Sequence, residues 1–255
     1  MDLLSSNLGN ANKKERPIMR VLVIAPHADD ETLGMGATIA RRVEQGCLVT
    51  VAVVTGHGEK EHPLWAPEMW KTIREEARAA MDVLNVSDLR FAELPAALLD
   101  SHPSYKTNAV IEDLINDVGP DELFLPYQHD LHQDHTAIAY AALVATRPYL
   151  RGPAGPSRVL MYETPTETHL FPAPIAPPFV PNCWIDVSGT LEKKLKAWAC
   201  YKSQHQRGNS PRADAALRAL AAWRGSHIGA EAAEAFLVLQ SVEGAGYEAV
   251  VDNGC

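Results

Sequence analysis

The run Val21 to Glu31, VLVIAPHADDE, constrains this chain more than any other stretch. Val21, Leu22, Val23, Ile24 and Ala25 form an uninterrupted apolar run, which reads as a strand buried on both faces. Pro26 withholds the next backbone N–H and stops that strand. His27, Asp29, Asp30 and Glu31 are then held at the carboxyl end of a central strand, where open α/β sheets place their sites. So many ionisable groups crowd together at low cost only if positive charge sits among them. A divalent cation is the economical candidate, because neutral imidazole and carboxylate are its common ligands. Taken alone, the same residues also fit a solvated acidic loop with helix-capping carboxylates.

The rest of the chain repeats the strand-then-helix pattern. Thr32 is a candidate N-cap for a helix whose inner stripe is Leu33, Gly36, Ile39, Ala40 and Val43. The glycines of Gly34-Met35-Gly36 do not make a GxGxxG phosphate loop, and close helix–sheet packing explains them better. Strands are expected at 48–55, 88–94, 121–127, 157–163 and 183–188. Helices are expected near 66–84, 105–118, from the HQDH segment to Leu150, 189–204, 211–224 and 231–239, with an edge strand at YEAVV (247–251). Residues 164–181 carry six prolines and no periodicity, as in a long ordered loop or a lid. The expected fold is therefore α/β: a Rossmann-like, mostly parallel sheet flanked by helices, with the site at its carboxyl edge. Residues 1–18 read as a loose polar arm and 19–255 as a single domain.

A net charge of −9 argues against nucleic acid or an anionic membrane as the main partner. Cys47, Cys183, Cys200 and Cys255 form no paired motif, as in a reduced, cytoplasmic protein. No apolar run approaches the ~20 residues of a membrane helix, and the first residues lack the apolar core of a signal peptide.

A second polar cluster, His129 to His135 (HDLHQDH), follows the strand at 121–127. In a parallel sheet both clusters face one crevice. An HxxH pair alone is weak, since helix-capping histidines explain it as readily. Two clusters at the ends of two predicted strands point to a metal site.

PHADDE followed by HQDH resembles the paired motifs of the PIG-L/LmbE-type zinc-dependent de-N-acetylases, over about residues 19–163. The resemblance implies that His27, Asp30 and His135 hold one zinc ion and that Asp29 is the general base. It implies that His132 stabilises the oxyanion or protonates the leaving amine, with the Asp134 carboxylate next to it. Ala28, Gln133 and Asn85 depart from the family pattern without removing a catalytic group. Ala96 and Ala97 stand where several members carry Asp-Gly.

The implied reaction is hydrolysis of an amide. Zinc lowers the pKa of its water toward ~7 and Asp29 takes the remaining proton. A cationic His132, kept charged by Asp134, then faces the developing oxyanion. Asp29 and Asp30 divide the work because adjacent side chains at a strand end point differently. The implied partner is a small N-acetylated amino sugar or glycoconjugate, and members of the family are often homo-oligomers. Two alternatives remain: an amidase for a non-sugar N-acyl group, and a sugar- or nucleotide-binding module without turnover.

Other residues have quieter readings. Glu31 is expected to be structural, and His129 and Asp130 to lie near the pocket without acting as ligands. His57, His169 and His227 read as loop histidines, His169 being flagged for its place in the proline-rich segment. Arg74 either faces the site or pairs with a nearby glutamate. Trp65, Trp70, Trp198 and Trp223 read as core or contact residues, although a sugar face can stack on such a ring.

Overall fold

The computed structural model describes residues 18–59, 61–151, 155–206 and 208–243. The elements, in chain order, are β1 (Arg20–Ala25), α1 (Asp30–Glu44), β2 (Leu48–Gly56), α2 (Pro67–Leu84), β3 (Asp88–Pro95), α3 (Ser104–Val118) and β4 (Glu122–Pro126). There follow α4 (Gln133–Ala145), α5 (Pro148–Arg151), β5 (Arg158–Tyr162), β6 (Cys183–Asp186), α6 (Leu191–Trp198), α7 (Asp214–Ser226) and β7 (Ala233–Ser241). The loose arm, the YEAVV strand and Cys255 lie outside the described residues.

The strands form one sheet in the order β3-β2-β1-β4-β5-β7-β6. Strands β1 to β5 pair in parallel, whereas β7 runs antiparallel to both β5 and β6. The fold is thus the expected mostly parallel α/β sheet. β1 is central, paired with β2 on one side and β4 on the other. Its side chains alternate between two cores: Val21, Val23 and Ala25 enter one, Leu22 and Ile24 the other. That is why the run is continuously apolar. The chain winds from β1 through β2 to β3, then crosses back to place β4 on the far side of β1. The crevice outside the carboxyl ends of β1 and β4 is the topological switch point.

Local chemistry sets the boundaries. Pro67 opens α2 at a position where its missing N–H costs nothing, and Asn85 ends it in the left-handed region at φ 60°. The glycines of α1 are packing residues, as expected. A Cβ on Gly34 would lie 2.3 Å from the Tyr162 ring of β5, and one on Gly36 would lie 3.2 Å from Lys194 of α6. Helix α1 begins at Asp30, so Thr32 lies inside its first turn rather than capping it.

Two expectations fail in the last third. The helix expected near 231–239 is the strand β7, lodged between β5 and β6. Alanine and glutamate favour helix locally, but pairing on both edges overrides so weak a preference. Glu234 is buried there and accepts the Ala37 and Thr38 backbone N–H groups and the Lys194 ammonium. The helix expected at 189–204 is shorter: α6 ends at Trp198, with a separate single turn at Lys202–Gln204.

Candidate active site

Pro26 ends β1, and its carbonyl accepts both the Thr55 backbone N–H (3.0 Å) and the Thr55 hydroxyl (2.7 Å) of β2. This ties down the turn that carries His27, Asp29 and Asp30. On the other side of the crevice His132 occupies the N-cap of α4, and Asp134 and His135 lie in its first turn. The two clusters meet: the His27 and His135 ring centroids are 5.5 Å apart, and those of His27 and His132 are 4.4 Å apart.

The hydrogen bonds assign the imidazole lone pairs. His135 lies with its Nδ1 2.7 Å from Asp130 Oδ2, and His27 with its Nε2 2.9 Å from Asp134 Oδ2. With those nitrogens facing Asp134 and Asp130, His27 Nδ1 and His135 Nε2 are the ring nitrogens left to a shared partner. Both approach one oxygen, Asp30 Oδ2, at 3.2 and 3.1 Å respectively. His135 Nε2 is buried and makes no hydrogen bond, because its approach to Asp30 lacks the geometry of one. Donor atoms of His27, Asp30 and His135 all lie within 4.8 Å of one another. An orphaned imidazole nitrogen beside a second imidazole and a shared carboxylate oxygen fits a divalent cation.

His27, His132 and Asp134 form a second group of comparable spacing. Its donors are already engaged. Asp134 accepts the Ala97 N–H at 2.6 Å and the Leu99 N–H at 3.2 Å, and His132 Nδ1 accepts the Asp134 N–H at 3.2 Å. The first group is therefore the better cation site.

The field at this site attracts positive charge. Burial alone would lower the His27 pKa, but its bonds to Asp134 and Asp30 lift it to about 9. Burial likewise works against a charged His135, yet the Asp30 and Asp130 carboxylates raise it well above its ordinary value. Burial would raise Asp30, but the charges of His135 and His27 and the His27 hydrogen bond hold it well below the carboxylate range. Burial and then the Asp30 charge push the Asp29 carboxyl up to about 8, against the pull of Arg212.

Asp29 is not in contact with the His27 and His135 lone pairs in the way Asp30 is. Its carboxylate accepts Arg212 Nη1 at 2.9 Å, and Arg212 also reaches the Thr166 hydroxyl at 3.3 Å. Its backbone lies at φ 130° and ψ −26°, a region costly for any residue with a Cβ. Glu31 helps to hold it there, accepting the Asp29 N–H at 3.1 Å and the Tyr201 hydroxyl at 2.6 Å. The structural reading of Glu31 agrees with these bonds.

His132 and Asp134 differ from expectation. The Asp134 carboxylate stands 3.9 Å from His132 Nδ1 and bonds His27 instead; only the Asp134 backbone N–H reaches the His132 ring. Burial, with the nearby His27 charge, pushes the His132 pKa down to about 4, which disfavours the cationic form expected of it. Since its Nδ1 accepts a backbone N–H, its Nε2 carries the proton.

Sequence reasoning misses Arg212, Asp130 and Tyr201 as supporting residues. Arg212 lies 183 positions from Asp29 with no motif around it. Asp130 carries a signal, a carboxylate beside a candidate ligand histidine. The start of the proline-rich segment is built into this support: the Thr168 hydroxyl donates to Asp130 at 2.6 Å. His169 is exposed and bonds Glu163, while His129 lies beside Tyr127 and Gln128. Arg74 does both things considered for it, pairing with Glu93 and lining the cavity. Trp198 is core and Trp223 is exposed, but Trp65 and Trp70 line the site.

Residues 22–146 match the family model described as PIG-L, GlcNAc-PI de-N-acetylase. The chain belongs to the PIG-L/LmbE family. A relative from Kribbella flavida, named as a 1D-myo-inositol 2-acetamido-2-deoxy-alpha-D-glucopyranoside deacetylase, is 28% identical, the match covering 74% of this chain and 84% of that protein. The conserved protein TT1542 from Thermus thermophilus superposes with a TM-score of 0.70 at 25% identity, over 89% of this chain and 98% of that one. The 4-carboxy-2-hydroxymuconate hydratase GalB from Pseudomonas putida superposes with a TM-score of 0.67 at 19% identity, over 89% and 99%. A likeness of that kind speaks for the fold alone.

Proposed function

We propose that this N-deacetylase hydrolyses the amide of an N-acylated amino sugar or glycoconjugate, using a divalent cation, zinc being our choice, held by His27, Asp30 and His135. The observation that carries the reading is the convergence of His27 Nδ1 and His135 Nε2 on Asp30 Oδ2, with Asp29 next along the chain. A divalent cation there would supply Lewis acidity toward the amide carbonyl, a more acidic water, and positive charge that keeps Asp29 ionised.

The remaining work falls to the chain. Asp29, aimed by Arg212, accepts a proton from the attacking water. His132 offers its Nε2 proton as a hydrogen bond to the developing oxyanion, an interaction often worth about 3 kcal/mol. A neutral imidazole that surrendered that proton would become an anion, so the leaving nitrogen takes its proton from Asp29. Asp134 and Asp130 hold His27 and His135 in the tautomers that leave the cation-facing nitrogens free.

The amino-sugar part of the reading draws on the family description and on the names of relatives such as the Kribbella protein. Acetate release by the zinc-loaded protein, screened over N-acetylated amino sugars, their conjugates and N-acetyl amino acids, tests it. Release from the sugars supports the reading. Release from amino acids alone favours the non-sugar amidase, and release from nothing rejects a deacetylase. Among the described residues no helix is long and apolar enough to cross a membrane.

A further inference from the structure

The crevice beside the proposed cation site is a cavity of about 240 Å³ whose two flanks differ in chemistry. The sheet order puts β2 and β3 on one side of β1, and β4 and β5 on the other. On the β5 side the cavity is lined by Glu167 and Arg212, charged groups suited to a polyhydroxylated amine. On the β2–β3 side it is lined by Val53, Trp65, Met69, Trp70, Ile73 and Phe91, with Arg74 lying over the Phe91 ring at 5.3 Å and paired with Glu93. Met69, Trp70 and Ile73 come from one face of α2, Val53 from β2 and Phe91 from β3. A methyl group alone needs no wall of this extent.

The aromatic part of that wall is anchored. His62 is buried, with its Nε2 2.9 Å from the Ala96 carbonyl and its Nδ1 accepting the Leu64 N–H at 3.2 Å. Trp65 stacks on the His62 ring at 4.9 Å between centroids, and Trp70 stands edge-on to Trp65 at 5.6 Å. Trp65 and Trp70 also line a second cavity of about 240 Å³, with His57, Glu61, His62 and Pro67. The two indoles are therefore a partition between two spaces, and removing one would join them.

We propose that the apolar flank receives the acyl chain of the substrate, that the enzyme removes chains longer than acetyl, and that Trp65 and Trp70 set the longest chain accepted. The proposal rests on the N-deacylase reading above. With the carbonyl at the proposed cation site, the acyl tail and the amine leave it in opposite directions, which matches the two flanks. Hydrolysis places the water oxygen on the acyl carbon and breaks the C–N bond, giving a carboxylate with its alkyl tail and an ammonium sugar.

The test uses the zinc-loaded full chain with N-acetyl, N-butanoyl, N-hexanoyl and N-octanoyl glucosamine. The expected result is a rise in kcat/KM of roughly fourfold per added methylene until the partition is reached, then a fall. Trp70→Ala should move that limit to longer chains and Met69→Trp to shorter ones. Binding of the alkanoate products, read as tryptophan fluorescence change, should tighten with length independently of turnover. Preference for acetyl with no length-dependent alkanoate binding overturns the subsite and leaves the deacetylase reading standing. Length-dependent binding without turnover of any N-acyl sugar supports the subsite and defeats the deacetylase reading. If octyl N-acetylglucosaminide is preferred while N-acyl length has no effect, the flank takes the aglycone and the proposal is wrong.

Discussion

Asp29 combines a strained backbone, at φ 130°, with a buried carboxylate gripped by Arg212 at 2.9 Å. Strain of this kind costs about 1–3 kcal/mol and survives where neighbours over-determine the position, here Glu31, Tyr201 and Arg212. If Arg212 aims the base, Arg212→Ala should lower kcat/KM by about 10²-fold with cation content unchanged, and Arg212→Lys should recover part of it. Steady-state kinetics alongside metal analysis check this; an unchanged rate would remove Arg212 from the account. Ala97 is a second residue in the left-handed region, at φ 58°, where its N–H bonds Asp134. The resemblance places a glycine at this position in several members, and the backbone supplies a reason that spacing could not. Ala97→Gly relieves about 1–2 kcal/mol of αL strain and forfeits ~0.5–1 in unfolded-chain entropy. The variant should therefore be more stable by about 0.5–1 kcal/mol, seen as a higher Tm. His27, Asp30 and His135 were legible because each belongs to a polar cluster at the end of an apolar run. Arg212 was not, since nothing local distinguishes it from a solvated arginine. The downward pull on the His132 pKa was illegible too, because it follows from burial and the charge of a histidine distant in sequence.

Helix α1 must approach β5 closely for Asp30 to stand where it does. Gly34 permits this, and its replacement tests two opposed effects. Helix propensity alone predicts that Gly34→Ala stabilises by about 1 kcal/mol. The added Cβ would lie 2.3 Å from Tyr162, whose hydroxyl bonds the Ile24 carbonyl, so overpacking of about 1–3 kcal/mol should win. Denaturant unfolding should show net destabilisation. Helix α7 docks through Arg224, which donates to Glu163 just past β5 at 2.8 Å, both side chains being buried. Burial would raise the Glu163 pKa, but His169 and Arg224 hold it below its ordinary value. A depressed carboxylate adds stability above its unfolded pKa and loses it as pH falls through the folded one. Glu163→Gln should cost about 3 kcal/mol near neutrality, since it strands a buried guanidinium. The deficit against wild type should shrink at pH below the ordinary 4.5. A pH-independent deficit would mean that the pair contributes nothing electrostatic. At this scale the parallel strands were readable from their β-branched runs. β7 was not, because AEAAEAF is helix-forming in composition and becomes strand only between two waiting edges.

The whole molecule places its chemistry at the one point where the winding of the sheet reverses, with β1 and β4 each contributing a polar turn. Carboxylates outnumber the cationic groups there, and both imidazoles are drawn toward the charged form. The proposed cation would complete such a centre, and the roles proposed for Asp29, Arg212 and His132 depend on it. Metal stoichiometry of the purified chain, compared among wild type, Asp29→Asn and His135→Ala, tests that dependence most directly. The account predicts about one divalent ion per chain in wild type and in Asp29→Asn, the latter without turnover, and little or none in His135→Ala. Full metal content in His135→Ala, or its loss in Asp29→Asn, would contradict the assignment of ligand and base.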